Sequence, residues 1–151
     1  MKLRIEINEE LPESEVVIRC GRMDEQIRKL EAFVLGMSEL KLTFYKGSQE
    51  FFIPLSKVLF LQTEGETVYA HTADDAFLVK HRLYELEETL PRTFVRAAKG
   101  TIVNTSRIYS IDRNLTSASK ICFTGTHKSV YVSRHYYKFL KEKMYERSGL
   151  Q

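Results

Sequence analysis

Tryptophan is absent from this 151-residue chain, and cysteine, proline and glycine are scarce, with two, three and seven copies. So little proline and glycine leaves no linker or low-complexity tract, and no internal repeat is visible. Cys20 and Cys122 lie far apart in segments that read as strands. They are expected to be reduced thiols, as in a cytosolic protein, and not a disulfide framework. The four histidines and two cysteines never approach metal-ligand spacing, so neither metal nor cofactor is expected. Long apolar runs are missing too: Val58 to Leu61 is far too short to cross a bilayer. At the start, Lys2, Arg4 and Glu6 alternate with apolar residues, unlike a secretory signal, and the expected location is cytoplasmic.

Catalytic signatures are equally wanting. There is no G-x-S-x-G, no glycine-rich phosphate loop and no metal motif. Asp74-Asp75 falls at a predicted turn, and Glu85, Glu87 and Glu88 on a polar helix face, where carboxylates are ordinarily solvated. His71 lies within an alternating strand and His81 opens a helix, neither with a nucleophile that the pattern singles out. An enzyme with a small-molecule substrate is therefore not expected.

What the chain does have is a lopsided charge. Residues 1–40 carry six Lys/Arg against nine Asp/Glu, a net of −3, and residues 41–91 carry five against eight, again −3. Residues 92–151 carry twelve against three, a net of +9. A basic third behind acidic segments points to a polyanion, and to nucleic acid before membrane, since no basic amphipathic anchor helix stands out. A merely solvated basic face fits the same numbers.

Periodicity supplies the architecture. Leu3, Ile5 and Ile7 alternate with polar residues, as do Val16, Ile18 and Cys20, and each set predicts a half-buried strand. From Met23 the period lengthens: Met23, Ile27, Leu30, Val34 and Met37 form one helical seam. Beyond it the pattern is mostly β. Residues 40–54 read as a hairpin around Lys46-Gly47-Ser48, and residues 58–62 and 68–72 pair around Glu64-Gly65-Glu66. Residues 77–80 follow, then a helix from His81 to Leu90 stopped by Pro91. Residues 94–97 and 101–103 flank Ala98-Lys99-Gly100, and strands are expected at 107–111, 120–124 and 129–132. Ser133 is a good N-cap for a last helix burying Tyr137, Leu140 and Met144. The fold class is thus mainly β (α+β overall), small antiparallel sheets with two short helices, preceded by a strand-strand-helix extension over residues 1–40.

The cations of the basic third fall in loops and at element ends: Arg96 and Lys99 near a turn, Arg107 after Asn104, Lys128 in a hairpin, Arg134 and His135 at a helix start. Loops on a rigid sheet are suited to groove contacts. At a capped helix start, free N–H groups favour a phosphate, and Arg134 can fork onto a phosphate or guanine, or instead pair with an acid such as Glu142.

These residues carry a resemblance. FVRAAKGTIVNTSRIYSI (94–111) resembles the LytTR DNA-binding domain, with its aromatic-apolar-Arg, short basic loop and Val-Asn. VLFLQTEGETVYAHT (58–72) and VYVSRHYYKFLKEKM (130–144) are similar to its flanking pieces, in order, so the likeness covers residues 41–147. It implies an elongated domain of small sheets whose loops enter successive major grooves of double-stranded DNA. Contacts carry over to Glu66, Thr67, Lys99 and Arg134, while Asn104 would hold its turn by side-chain hydrogen bonds. Departures from the family pattern are Ala98, where His or Ser is common, Gly100, where Ser is common, and Glu66, which would repel phosphate unless it accepts from a cytosine amino group.

The resemblance further implies a stand-alone regulator, in which residues 1–40 serve regulation or assembly and residues 41–151 read DNA. Partners would be a second copy on repeated sites and a small membrane regulatory protein. A module that docks on a membrane partner without binding DNA is the alternative. RNA binding is weaker, because stacking aromatics of an RNA-recognition sheet are not apparent.

Overall fold

The computed structural model describes residues 1–37 and 42–148. Backbone contacts divide the chain into two units, Met1–Ser38 and Glu39–Gln151. In the first, α1 (Glu25–Met37) is the only regular element among the described residues. Asp24 caps it: the Ile27 amide donates to Asp24 Oδ1 at 3.0 Å and the Arg28 amide to the Asp24 carbonyl at 3.1 Å. Ile27, Leu30 and Val34 of the predicted seam are half-buried and Met23 is exposed; the Met37 side chain lies outside the description. The two strands expected at residues 3–7 and 16–20 do not form. Alternation marks a strand only where a neighbour supplies the hydrogen-bond ladder, and here Leu3, Ile5 and Ile7 remain 77–89% exposed.

The second unit holds ten strands and two helices among the described residues: β1 (Phe44–Lys46), β2 (Gln49–Phe51), β3 (Phe60–Glu64), β4 (Thr67–His71), β5 (Ala76–Val79), α2 (Leu83–Thr89), β6 (Phe94–Ala98), β7 (Thr101–Asn104), β8 (Ile108–Asp112), β9 (Ser119–Phe123), β10 (Ser129–Val132) and α3 (Arg134–Ser148). They make a seven-stranded sheet, β2-β1-β5-β4-β3-β7-β6, and a three-stranded sheet, β10-β9-β8. Every strand pairing is antiparallel. Residues 40 and 41 of the predicted first hairpin lie outside the description. Short 3-10 turns at Leu55–Lys57 and Thr105–Arg107 leave no periodic signature in the sequence.

Strand alternation divides the apolar residues between two cores. Leu61, Phe94 and Ile102 point to a cluster with Phe44, Val58, Phe77 and the α2 residues Leu83 and Leu86. Their neighbours Phe60, Val95 and Val103 point the other way, toward Ile121, Phe123, Val130 and Val132 of the small sheet and Leu140 of α3. A strand buried on both faces needs continuous apolar residues, which is why residues 58–61 read as a solid run instead of an alternation. Leu61, Leu86, Ile102, Ile121 and Leu140 are wholly buried.

The two sheets are also joined by a polar latch around His71. Its ring stacks on Phe60 with centroids 4.4 Å apart and planes 12° apart, and Phe60 lies 5.4 Å from Phe123. Lys128 Nζ stands 3.2 Å from His71 Nδ1 and donates to the Asp75 carbonyl at 2.6 Å, while Thr126 Oγ1 donates to the Ala73 carbonyl at 2.9 Å. Lys128 is therefore part of the junction between sheets and not a loop cation free to meet a polyanion.

His71 Nδ1 faces an ammonium and its Nε2 is buried without a partner, so the ring resists a second proton. Burial first, and the Lys128 charge second, hold its pKa below the usual 6.5, against a weaker upward pull from Glu64. The unfolded chain takes up a proton near 6.5 where the folded one does not. The latch's contribution is thus fully present above that pH and is lost as pH falls below it, with a slope of at most about 1.4 kcal/mol per pH unit. Denaturation at several pH values between about 7.5 and 5.5 should show this loss, and His71→Gln should flatten it. An equal slope in the variant would remove His71 as the cause. Asp75, whose carboxyl is held low by hydrogen bonds from Lys46 and the Ala76 amide, acts only under more acid conditions.

Candidate nucleic-acid interface

Three loops converge because backbone hydrogen bonds tie them to one another. The first joins β3 to β4 through Gly65 and Glu66, with Glu64 paired to Thr67. Gly65 has φ +64° while Glu66 is on the ordinary side, the pattern of a type II′ hairpin that only glycine enters cheaply. Thr67 Oγ1 closes it by donating to the Glu64 carbonyl at 2.9 Å. The second loop, Lys99-Gly100, joins β6 to β7. The Thr63 amide donates to the Gly100 carbonyl at 2.9 Å, so the two turns lie side by side. A Cβ on residue 100 would stand 2.5 Å from Thr63 Oγ1. Gly100, a departure from the family pattern, thus leaves room for this orientation of the Thr63 hydroxyl, which a side chain at residue 100 would turn aside.

The third loop is the start of α3. The Ser133 amide donates to the Ala97 carbonyl at 2.9 Å, which holds the helix N-terminus beside the Lys99 turn. Ser133 caps mainly through its backbone: the Tyr136 amide is 3.1 Å from the Ser133 carbonyl and 3.4 Å from its Oγ. Arg134 and His135 are exposed in the first turn, the imidazole edge-on to Tyr136 at 5.0 Å.

The structure therefore brings Glu66, Thr67, Lys99, Arg134 and His135 together as exposed side chains on neighbouring loops. Arg96 is placed differently. Its side chain is 15% exposed, and its guanidinium donates to the Ala98 carbonyl at 2.9 Å, to the Lys99 carbonyl and to Glu87 at 2.6 Å. It braces the Lys99 turn from beneath. Arg107 is not brought to the three loops at all. It lies past the other end of β7, roughly 10–13 Å away along the strand, where its Nε donates to the Ser56 carbonyl at 2.6 Å.

Asn104 sits between these places and is 1% exposed. Its Nδ2 donates to the Val58 carbonyl at 2.9 Å, and its Oδ1 accepts from the Ser106 amide at 3.1 Å and the Ser106 hydroxyl at 2.6 Å. The side chain thereby ties the end of β7 to the chain entering β3.

Sequence reasoning missed a cleft beside Arg107, about 550 Å³, lined by Phe52, Pro54, Lys57, Asp74 and Phe77 among others. Phe52 is 85% exposed there. Phe52 gave no signal because two adjacent phenylalanines do not say which one packs inward; Phe51 takes the contact with Phe77 and leaves Phe52 exposed.

A β frame presenting adjacent loops with exposed cations fits a DNA-binding transcription regulator, and comparison with known proteins gives that class. Residues 48–145 match the LytTr DNA-binding domain. The chain belongs to the LytTR family. Relatives from Staphylococcus aureus strains MSSA476 and MW2, both named HTH-type transcriptional regulators, are 30% identical over 145 residues, spanning 95% of this chain and 98% of theirs. The fold is also similar to the LytTr DNA-binding domain of a methyl-accepting/DNA response regulator from Bacillus cereus. That likeness has a TM-score of 0.63 at 23% identity and covers 70% of this chain and 97% of the other. No two helices among the described residues are joined by a short turn, so the helix-turn-helix in the relatives' names does not describe this structure. This is a DNA-binding family and not an enzyme family. No helix among the described residues is long and apolar enough to cross a membrane.

Proposed function

We propose that the chain is a sequence-specific regulator that reads double-stranded DNA in the major groove with Lys99, Arg134, His135, Thr67 and Glu66. The observation that carries this reading is the juxtaposition of the Lys99 turn and the Arg134 helix start through the Ser133–Ala97 hydrogen bond. Arg134 is suited to fork onto guanine or a phosphate, and Lys99 to meet a phosphate or guanine as a point charge. Thr67 can donate to a phosphate, and Glu66 can accept from a cytosine amino group. Arg96 enters as the brace of the Lys99 turn, and Arg107, held on the Ser56 carbonyl, stays outside the reading loops. The reading needs no cofactor or small-molecule substrate and places the protein in the cytoplasm.

Residues 1–40 are proposed as the regulatory and assembly part, and residues 41–151 as the reader. The first part has a net charge of −3, unsuited to face phosphates, and could join two copies on repeated sites or receive a small membrane regulatory protein. Exposed apolar side chains in this part, Leu3 and Ile7 among them, also favour the second reading, in which the domain docks on a membrane partner without DNA.

Salt dependence separates the two. A protomer that neutralises about 4–6 phosphates gives a log–log slope of affinity against salt near −4 to −5. Titration of duplex DNA, selected by this protein from a random pool, over a severalfold salt range measures it. A slope near zero would favour docking.

A further inference from the structure

Residues 2–7 combine a strand-like alternation with no strand partner among the described residues. Leu3, Ile5 and Ile7 are 89%, 77% and 89% exposed. Arg4 and Glu6 form an ion pair at 2.5 Å with both side chains largely in solvent, so they share one side of an extended backbone and leave the other side to the apolar residues.

The obvious in-chain partner, residues 16–20, meets a conflict in each register: with Ile5 opposite Cys20, Glu6 gains Arg19, but Leu3 faces Arg22 and Glu10 faces Glu15. A hairpin that sets Ile5 opposite Ile18 sets Arg4 opposite Arg19. One that sets Ile5 opposite Val16 sets Glu6 opposite Glu15 and Lys2 opposite Arg19. Like charges directly across a sheet are destabilising. Pairing with a second copy has no such conflict. If two such segments run antiparallel with Ile5 opposite Ile5, Leu3 lies opposite Ile7 on one face, and Arg4 lies opposite Glu6 on the other. The segment is complementary to itself under two-fold rotation, as an isologous interface requires.

We infer that residues 2–8 of two copies pair as antiparallel strands about an axis at Ile5 and join this chain into a dimer. This rests on the assembly reading of residues 1–40 and specifies its partner and register. A two-stranded ribbon alone is marginal in water. Here α1 lies beside it, since Met1 lines one hollow with Gln26, Lys29 and Leu30. In the single chain residues 3–7 are exposed on both faces and only Met1 meets α1, so the helix closes over the ribbon as the third element only when the pair forms.

Charge reversal in the full-length protein, followed by sedimentation equilibrium without DNA, tests the register. Arg4→Glu puts Glu opposite Glu, and Glu6→Arg puts Arg opposite Arg, so each variant alone should dimerise roughly tenfold more weakly than the natural chain. An equimolar mixture of the two restores both opposite-charge pairs, and so does the double variant R4E/E6R. Both should recover dimerisation, and in the mixture the dimer should be mixed. Ile5→Asp faces two carboxylates on the axis and should lose the dimer, with circular dichroism unchanged because residue 5 is exposed. A dimer of the natural chain that ignores the reversals, or singles that fail to recover on mixing, overturns this register while leaving residues 1–40 an assembly role. A natural chain that stays monomeric at about 50 µM, well above a micromolar dissociation constant, overturns both.

Discussion

Lys99→Ala and Arg134→Ala are each expected to weaken binding to selected duplex DNA by about 1–3 kcal/mol while leaving the fold intact. Both side chains are exposed on loops, so their removal uncovers no core and leaves no buried group unpaired. The loops hold each other through main-chain bonds, Thr63 to Gly100 and Ser133 to Ala97, which neither substitution touches. Because the two positions neighbour one another, the double variant need not show the sum of the singles. Arg96→Ala makes an informative contrast. It removes the brace under the Lys99 turn and the pair with Glu87, so it should lower melting temperature and affinity together. Gel-shift titration with parallel thermal melts distinguishes contact from brace. Unchanged affinity in both Lys99→Ala and Arg134→Ala, at unchanged melting temperature, would remove the proposed reading surface.

Asn104→Ala should act on stability instead. The side chain is buried and both of its polar atoms are bonded, Nδ2 to the Val58 carbonyl and Oδ1 to the Ser106 amide and hydroxyl. Alanine strands a buried carbonyl and an amide, at a combined cost of about 2–4 kcal/mol. Asn104→Asp is expected to be worse at neutral pH. It keeps an acceptor for Ser106 but turns a carboxylate oxygen toward the Val58 carbonyl, and it should recover partly on acidification, when that carboxyl can donate. Denaturant titrations read both variants as a lower midpoint at unchanged slope. The DNA affinity of the folded fraction should stay close to that of the natural chain. A variant of normal stability with weakened DNA binding would instead make Asn104 a contact.

Most of the second unit could be read from periodicity. The Glu64-Gly65-Glu66 and Ala98-Lys99-Gly100 turns, and the helix after Ser133, are local features that a few residues dictate, through glycine geometry or a helix cap. The apolar residues of 58–61 and 101–103 likewise announce strands buried on both faces. Which strand neighbours which is not local. Placing β7 between β3 and β6 depends on contacts among residues some forty positions apart, and that placement sets the Lys99 turn beside the Gly65 turn.

The cations show the same division. Sequence alone established that the basic residues concentrate in the last third and fall in loops, because charge and turn propensity are properties of short segments. It could not separate Lys99 and Arg134, which are exposed with no ion pair among the described residues, from Arg96, Arg107 and Lys128, whose donors are held by carbonyls at Ala98, Ser56 and Asp75. The carbonyls at Ser56 and Asp75 belong to segments remote in sequence, and the Ala98 bond forms only because the turn folds back over Arg96. For residues 3–7 the outcome was reversed. Their alternation is a correct statement about faces, yet a strand also needs a partner for its backbone, and the described residues of a single chain provide none. Local chemistry determined the elements and the sign of the surface; the tertiary structure decided which donors face outward, because a hydrogen bond is satisfied by whatever the fold brings within about 3 Å.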